Sequence, residues 1–188
     1  MKDTRIRPEN GDRLVRRMRG GLVKGDSMAR KEKEIKTNAM RMLDRMKIPY
    51  EVLQYEVPDF EDGSQVADLE GVSHEESFKT LVMQGKSGEH YVFVLPIDRE
   101  VDLKAAARAV GEKSVEMIHV KDLTPLTGYV RGGCSPIGMK KAFPTVIAEE
   151  AEGFEKIYVS GGRIGSTLHL KTADLARAAG ARFAAFTV

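Results

Sequence analysis

The sequence predicts an α+β fold, in which one curled sheet of mixed or antiparallel strands bends toward a barrel and is flanked by short helices. About seven short strand-like runs follow one another from Tyr50 onward, and tight turns containing glycine join several of them. Three or four small helices lie irregularly among these runs. That order differs from the regular alternation of strand and helix that a doubly wound parallel sheet requires.

Capping residues and apolar periodicity define the individual elements. Ser, Thr and Asp can accept the first free N–H groups of a helix, and Gly closes helices at the other end. Alternating side chains or short β-branched runs indicate strands. In chain order we predict a helix from Thr37 or Asn38 to about Lys47, a strand over 50–57, a helix from Ser64 to Gly71, a hairpin made by FKTLVMQ and HYVFVLPI, a helix LKAAARAVG capped by Asp102, strands VEMIHV, TVIAEE, EKIYVS, STLHLK and ARFAAF, and a last helix capped by Thr172 that ends before Gly180.

The composition limits the class of protein. The chain has 188 residues, of which 41% are hydrophobic and 31% charged, as is typical of one soluble globular domain. A single cysteine excludes an intrachain disulfide and a four-thiolate zinc site, so we expect a cytoplasmic protein. No apolar run is long enough to cross a bilayer, and no signal peptide is indicated.

Residues 1–36 are predicted to form a flexible basic extension, and residues 37–188 the folded domain. Residues 1–27 hold eight Lys and Arg against four Asp and Glu, a net charge of +4, whereas the whole chain carries +2. Glycine and charge without apolar periodicity are typical of a segment that does not order itself. The composition favours a leader before a natural start at Met28 over a nucleic-acid-binding arm.

The glycine-rich stretch GYVRGGCSPIGMKK, residues 128–141, is a candidate binding loop. Its paired glycines, Gly132 and Gly133, let a ligand approach main-chain N–H and C=O groups. Ser135 precedes a proline and is therefore restricted to extended backbone, which stiffens the loop. Such a loop suits an amino-acid-like ligand, but a purely structural crossover explains this stretch equally well.

A second glycine cluster, SGGRIG at 160–165, follows the apolar run KIYV. Its spacing matches neither the dinucleotide fingerprint nor a P-loop, and a strand rather than a helix follows it. We interpret it as a hairpin turn whose glycines allow close approach of another backbone or of a ligand.

Cys134 is a weak candidate for a catalytic nucleophile, because a thiolate needs a neighbouring base. None of the four histidines lies in a recognisable thiol-enzyme signature, and no histidine pair has helical metal-ligand spacing. We therefore expect no metal and no cofactor. The four histidines are His74, His90, His119 and His169.

Lys79 lies among apolar residues in SFKTLVMQ. A lysine at such a strand position must either extend its ammonium group to solvent or face a negative group. Extension to solvent is the commoner outcome. Tyr55, on the preceding strand, is by default a half-buried packing residue.

Three ordered motifs strongly resemble the YbaK/EbsC family of freestanding aminoacyl-tRNA editing domains. They are FKTLV, then GYVRGGCSPIGMKK with PTVI after it, and then IYVSGGRIG followed by ADLARAAGA. The resemblance runs from about Thr37 to the C-terminus in the family's order and leaves the basic extension uncovered.

The resemblance implies a hydrolase that releases cysteine from mischarged cysteinyl-tRNA(Pro), with assistance from the substrate's own thiol. Proline and cysteine are too similar in size for a compact pocket to separate fully, so a later hydrolytic check is physically reasonable. Two alternatives stay open, a deacylase for alanyl-tRNA(Pro) and a noncatalytic module that binds tRNA or prolyl-tRNA synthetase. The implied partners are the 3′ end of the proline tRNA and, as a further candidate, prolyl-tRNA synthetase, with no membrane.

The same resemblance implies roles for individual residues. Lys79 matches the family's essential lysine, and Gly132 the glycine whose carbonyl positions the aminoacyl group, so both are predicted to be catalytic. Ile164 stands where a basic residue is common, and Thr167 where an acidic residue can occur. The predicted substrate-binding residues are Tyr55, Gly133, Ser135, Ser160, Gly161, Arg163 and Thr167.

Overall fold

The computed structural model describes residues 4–6, 15–20, 36–55, 67–68 and 70–188. The helices are α1 (Asn38–Arg45), α2 (Leu103–Val110), α3 (Val120–Thr127) and α4 (Thr172–Ala179), with a 3₁₀ helix at Glu149–Gly153. The strands are β1 (Thr4–Ile6), β2 (Val15–Gly20), β3 (Tyr50–Gln54), β4 (Phe78–Gly85), β5 (His90–Pro96), β6 (Val115–Met117), β7 (Thr145–Ala148), β8 (Lys156–Ser160), β9 (Ser166–Lys171) and β10 (Arg182–Ala184).

The described strands form two five-stranded sheets that join at one edge. The first sheet has the order β1-β2-β3-β9-β8 and is antiparallel, and the second has the order β10-β7-β5-β4-β6 and is mixed. A parallel bridge between Ser77 and Tyr158 links them. The predicted α+β class with a curled mixed sheet is confirmed, but the sheet does not close into a barrel, and the described strands number ten rather than about seven.

Local capping explains where two helices begin. The Thr37 hydroxyl accepts the N–H of Met40 at 3.2 Å, so Thr37 is the cap of α1 rather than Asn38. Asp102 accepts two N–H groups at the start of α2, as predicted. The predicted cap Thr172 is wrong, because Lys171 occupies the N-cap position of α4. The Thr172 hydroxyl instead donates to the carbonyl of Phe154 at 2.6 Å.

Two apolar clusters lie on opposite faces of the joined sheet. The larger cluster packs α1 and α4 against inward-facing residues of both sheets, among them Val52, Leu168 and Val82. The smaller cluster packs α2 against the other face of the second sheet. There the rings of Phe93 and Phe186 meet edge to face, with centroids 5.0 Å apart. The second sheet is therefore covered on both faces.

The predicted extension contributes backbone strands to the first sheet. β2 pairs antiparallel with β3 from Arg16 opposite Gln54 to Gly20 opposite Tyr50, and β1 pairs with β2. The domain boundary at residue 37 stays a prediction, and Met28, the start of the Ser64 helix and the end of the 50–57 strand lie outside the described residues. No helix in the described part of the chain is long and apolar enough to span a membrane.

Candidate active site

Strand register gathers polar residues on one face of the first sheet. Tyr158 lies opposite His169, which lies opposite Glu51, and Ser160 lies opposite Thr167. Residues opposite one another in paired strands project from the same face. The intervening residues of these strands belong to the apolar core. We call the group Glu51, Tyr158, Ser160, Thr167 and His169 the polar face.

The polar face is an ordered surface. The His169 ring stacks on Tyr158, with centroids 4.0 Å apart and an angle of 8° between the planes. The Nδ1 atom of His169 lies 3.9 Å from Glu51 Oε2. Thr167 is only 7% exposed, so its hydroxyl lies in a largely dry environment.

The bridge between the two sheets places Lys79 on the same side as the polar face. Ser77 and Tyr158 form the parallel bridge, and Lys79 and Ser160 each lie two residues beyond it. Because strand side chains alternate with a period of two, Lys79 projects from the same side of the joined sheet as Ser160. Its Nζ atom donates to the carbonyl of Ile97 at 3.0 Å. Lys79 is half-buried, and its ammonium group is held in place instead of extending freely into solvent.

The two glycine clusters pack directly against one another. A β-carbon at Gly133 would lie 2.8 Å from the carbonyl carbon of Arg163 and 2.8 Å from the nitrogen of Ile164, which is closer than side-chain carbons approach backbone. The loop around Gly133 and the β8–β9 turn therefore fit together only with glycine at this position. Loop and turn form one structural unit.

Other contacts fix this unit to the fold. The Thr37 hydroxyl donates to the carbonyl of Gly161 at 2.6 Å, which ties the start of α1 to the β8–β9 turn. The Gly161 N–H donates to the carbonyl of Ser166 at 2.7 Å. The buried Tyr129 hydroxyl donates to the carbonyl of Ile137 at 2.8 Å, across the base of the loop. Such cross-links preorganise backbone groups for binding.

Cys134 is part of the core, not a reactive thiol. Its side chain is 8% exposed and packs in the larger apolar cluster. Burial raises the pKa of the Cys134 thiol to about 12, although a hydrogen bond with Thr127 acts in the opposite direction. The thiolate needed for nucleophilic attack is therefore negligible at neutral pH.

A buried carboxyl group lies beside Thr167. Glu70 is 4% exposed, and its Oε1 atom has no hydrogen-bond partner in the described part of the protein. Burial raises the pKa of Glu70 to about 8, and a hydrogen bond with the Thr167 side chain lowers it in part. Burial and the nearby Glu70 raise the pKa of Tyr55 to about 12, with Thr167 again a hydrogen-bonding neighbour. Tyr55 and Glu70 therefore adjoin the polar face through its member Thr167.

A family model described as the aminoacyl-tRNA editing domain matches residues 57–178. A protein of Enterococcus faecalis (strain ATCC 700802 / V583), whose name proposes a Cys-tRNA(Pro)/Cys-tRNA(Cys) deacylase, EbsC, is 45% identical over 163 residues. The match covers 85% of this chain and 98% of that protein. The chain belongs to the aminoacyl-tRNA editing domain family.

Solved structures carry the same fold as this editing domain. One, described as a proposed trans-editing enzyme for prolyl-tRNA synthetase, is 21% identical with a TM-score of 0.70, and the match covers 82% of this chain and 99% of that chain. A second, described only as a hypothetical protein, is 24% identical with a TM-score of 0.74, and the match covers 81% of this chain and 100% of that chain. At these identities the likeness shows the fold alone.

The editing domain brings most of the predicted site residues into one region. Tyr55 joins the β8–β9 turn, since its N–H donates to the carbonyl of Gly165 at 3.0 Å. The Ser160 hydroxyl accepts the N–H of Gly162 at 3.4 Å. Arg163 is half-buried on the turn, and Gly132 lies exposed on the adjoining loop. Ser135 is fully buried, and its hydroxyl has no partner in the described part of the chain. Among the described residues no group of acidic, histidine and cysteine side chains is suited to a metal.

The sequence did not predict Glu70 as part of this region. In the run VADLEGVS it directly precedes a glycine, which is typical of an exposed acid near a helix end. Its hydrogen-bond partner Thr167 comes almost a hundred residues later, so no local pattern indicates this contact.

We expect Glu70→Gln to change how stability depends on pH. The pKa in the folded protein, about 8, lies above the ordinary 4.5, so the folded protein holds the extra proton between these values. The free energy of unfolding should therefore fall as pH rises from about 4.5 to about 8 and level off outside that window. Glutamine cannot ionise, so the free energy of unfolding of the variant should not show this fall. The difference in that free energy, variant minus wild type, should therefore be a few kcal/mol larger at about pH 9 than at about pH 5.

Urea unfolding at these two pH values measures the effect. The exposed Glu116 on β6 offers a control, and Glu116→Gln should follow the wild-type curve. Parallel curves for Glu70→Gln and wild type would show that the carboxyl is ionised in the folded protein.

Proposed function

We propose that this editing domain deacylates mischarged cysteinyl-tRNA(Pro) and releases free cysteine. The observation that carries the proposal is the convergence of a held lysine, two interlocked glycine loops and a polar strand face, with a core cysteine that cannot ionise at neutral pH. Family membership and the 45% identity to the relative named for this activity support the same substrate class.

The substrate's own thiol supplies the nucleophile in this proposal. Its sulfur attacks the ester carbonyl, the bond from that carbon to the ribose oxygen breaks, and the ribose oxygen takes up a proton. The resulting four-membered thiolactone is opened by water to give cysteine. A reaction of this kind needs orientation and charge stabilisation from the protein rather than a protein nucleophile.

In this proposal the site residues have three roles: charge stabilisation, positioning of the aminoacyl group and binding of the tRNA. Lys79 stabilises the negative charge that develops on the ester, and the Gly132 carbonyl positions the aminoacyl group. The 3′ end of the tRNA is bound by Tyr55, Ser160, Gly161, Arg163 and Thr167. Gly133 and Ser135 contribute to this binding by shaping the loop. Prolyl-tRNA synthetase, the source of the mischarged tRNA, is the proposed partner, and the cytoplasm is the proposed location.

Incubation with cysteinyl, alanyl and prolyl forms of the same proline tRNA tests this function. We expect the cysteinyl ester to be lost at least about a hundredfold faster than without protein, and the prolyl ester to survive. Preferential loss of the alanyl ester would overturn the substrate assignment. Tight tRNA binding without loss of any ester would show a noncatalytic module instead.

A further inference from the structure

Glu70 carries an acceptor that the fold leaves unused. The residue lies in a helical segment with residues 67 and 68 and is 4% exposed. Its Oε1 atom has no hydrogen-bond partner in the described part of the protein. Buried polar atoms are nearly always paired in folded proteins, since an unpaired one is costly. A carboxyl oxygen in this state beside the candidate active site is a candidate contact for a ligand.

Among the residues that the structure describes, the groups that face this carboxyl are uncharged. Thr167 of β9 hydrogen-bonds to Glu70, and Tyr55, just beyond β3, lies close enough for the carboxyl to raise its pKa. Burial and Thr167 account for the pKa of Glu70, with no cation of the described residues contributing. The described residues therefore supply one hydroxyl group, that of Thr167, which orients the carboxyl, but no positive charge that neutralises it.

We propose that the Glu70 carboxyl, held by Thr167, binds the α-ammonium group of the aminoacyl ester. This inference rests on the proposed function, because the free amine is a constant part of every aminoacyl-tRNA. An ammonium group offers three donors and a positive charge to the open oxygen. As the ion pair forms, the carboxyl gives up its proton to solvent. A charge-assisted hydrogen bond in a dry site is stronger than one to a ribose hydroxyl.

The proposed contact gives the enzyme a selectivity rule. A tRNA that carries a free amino acid presents an ammonium group, whereas a tRNA that carries a peptide presents a neutral amide at the same position. Against an amide the Glu70 carboxyl keeps its proton and no ion pair forms, and a site built for a polar group rejects ligands that lack it. Glu70 would therefore confine hydrolysis to aminoacyl-tRNA and protect tRNAs with an acylated amine.

The test combines a substrate change with a residue change. Cysteinyl-tRNA(Pro) and N-acetylcysteinyl-tRNA(Pro) are compared with wild type, Glu70→Gln and the control Glu116→Gln. We expect wild type and the control to favour the free amine by at least about tenfold in kcat/KM. Glu70→Gln should lose about tenfold on the free amine, mainly in KM, and change little on the acetylated substrate.

An equal loss on both substrates would overturn the proposal, because it would indicate a merely structural role or contact with the ribose. If Glu70→Gln does not fold, Thr167→Val serves instead, since it removes the hydroxyl that holds the carboxyl. It should narrow the preference for the free amine, and an unchanged preference would overturn the proposal.

A binding measurement separates failure of this inference from failure of the proposed function. If wild type hydrolyses neither substrate, the proposed function fails. Binding of a non-hydrolysable 3′-amide analogue of cysteinyl-adenosine, with a free or an acetylated amine, then tests Glu70 by itself. A preference for the free amine that Glu70→Gln abolishes supports the inference, and equal binding of both analogues overturns it.

Discussion

Lys79→Ala is expected to lower kcat for deacylation by about 10²- to 10³-fold, the usual loss when a preorganised charge-stabilising donor is removed. Lys79 is half-buried, and its ammonium group donates to the Ile97 carbonyl, on the same side of the sheet as Ser160. A cation held in a partly dry site stabilises developing charge more strongly than one in water. Single-turnover hydrolysis of cysteinyl-tRNA(Pro) measures the effect.

The exposed Lys104 on α2 provides the matched control. Lys104→Ala removes the same charge away from the site and should leave kcat unchanged. Circular dichroism and the melting temperature of Lys79→Ala should show a folded protein. Near wild-type turnover by folded Lys79→Ala would remove this lysine from the reaction.

Gly132→Ala is expected to reduce deacylation more than Cys134→Ala does. Gly132 has a φ of 81°, a left-handed conformation that costs an alanine about 1–2 kcal/mol, and the added methyl group would crowd the aminoacyl moiety. We expect a loss of at least about tenfold in kcat/KM. Cys134→Ala removes only a packed sulfur atom and should cost stability rather than catalysis.

Gly88 separates backbone strain from loss of the site. It has a φ of 92°, and a β-carbon there would meet no atom within 4 Å. Gly88→Ala therefore imposes comparable strain in the exposed turn between β4 and β5 and should leave deacylation intact. If Cys134→Ala proves more damaging than Gly132→Ala, the loop is not the site.

Local patterns predicted most elements, because capping and alternation act over a few residues. The Thr37 cap, the Asp102 cap and the hairpin made by β4 and β5 follow directly from neighbouring side chains. Helix α3 was not predicted, since Pro125 lies inside it and the apolar run before it continues the pattern of a strand. The sequence places the N-cap of α4 at Thr172, one residue after the observed cap, Lys171. A threonine hydroxyl that caps a helix and one that bonds to a remote carbonyl look alike in sequence.

Non-local geometry explains what the sequence left out. The glycine clusters were each compatible with a structural turn, and only the close approach of Gly133 to Arg163 shows that they form one unit. The alignment of Lys79 with Ser160 depends on a single bridge between Ser77 and Tyr158, some eighty residues apart. The contact of Glu70 with Thr167 likewise joins it to a distant strand. The roles of the site residues came from the family resemblance and stay predictions.

The most direct measurement compares cysteinyl-tRNA(Pro) with seryl-tRNA(Pro), using wild type and Cys134→Ala. The substrates differ in one atom, and a hydroxyl is a far weaker nucleophile than a thiol at neutral pH. We predict that both proteins hydrolyse the cysteinyl ester at similar rates and the seryl ester at least about a hundredfold more slowly. Equal rates on the two esters, or loss of activity in Cys134→Ala together with an acyl group trapped on Cys134 in wild type, would contradict it.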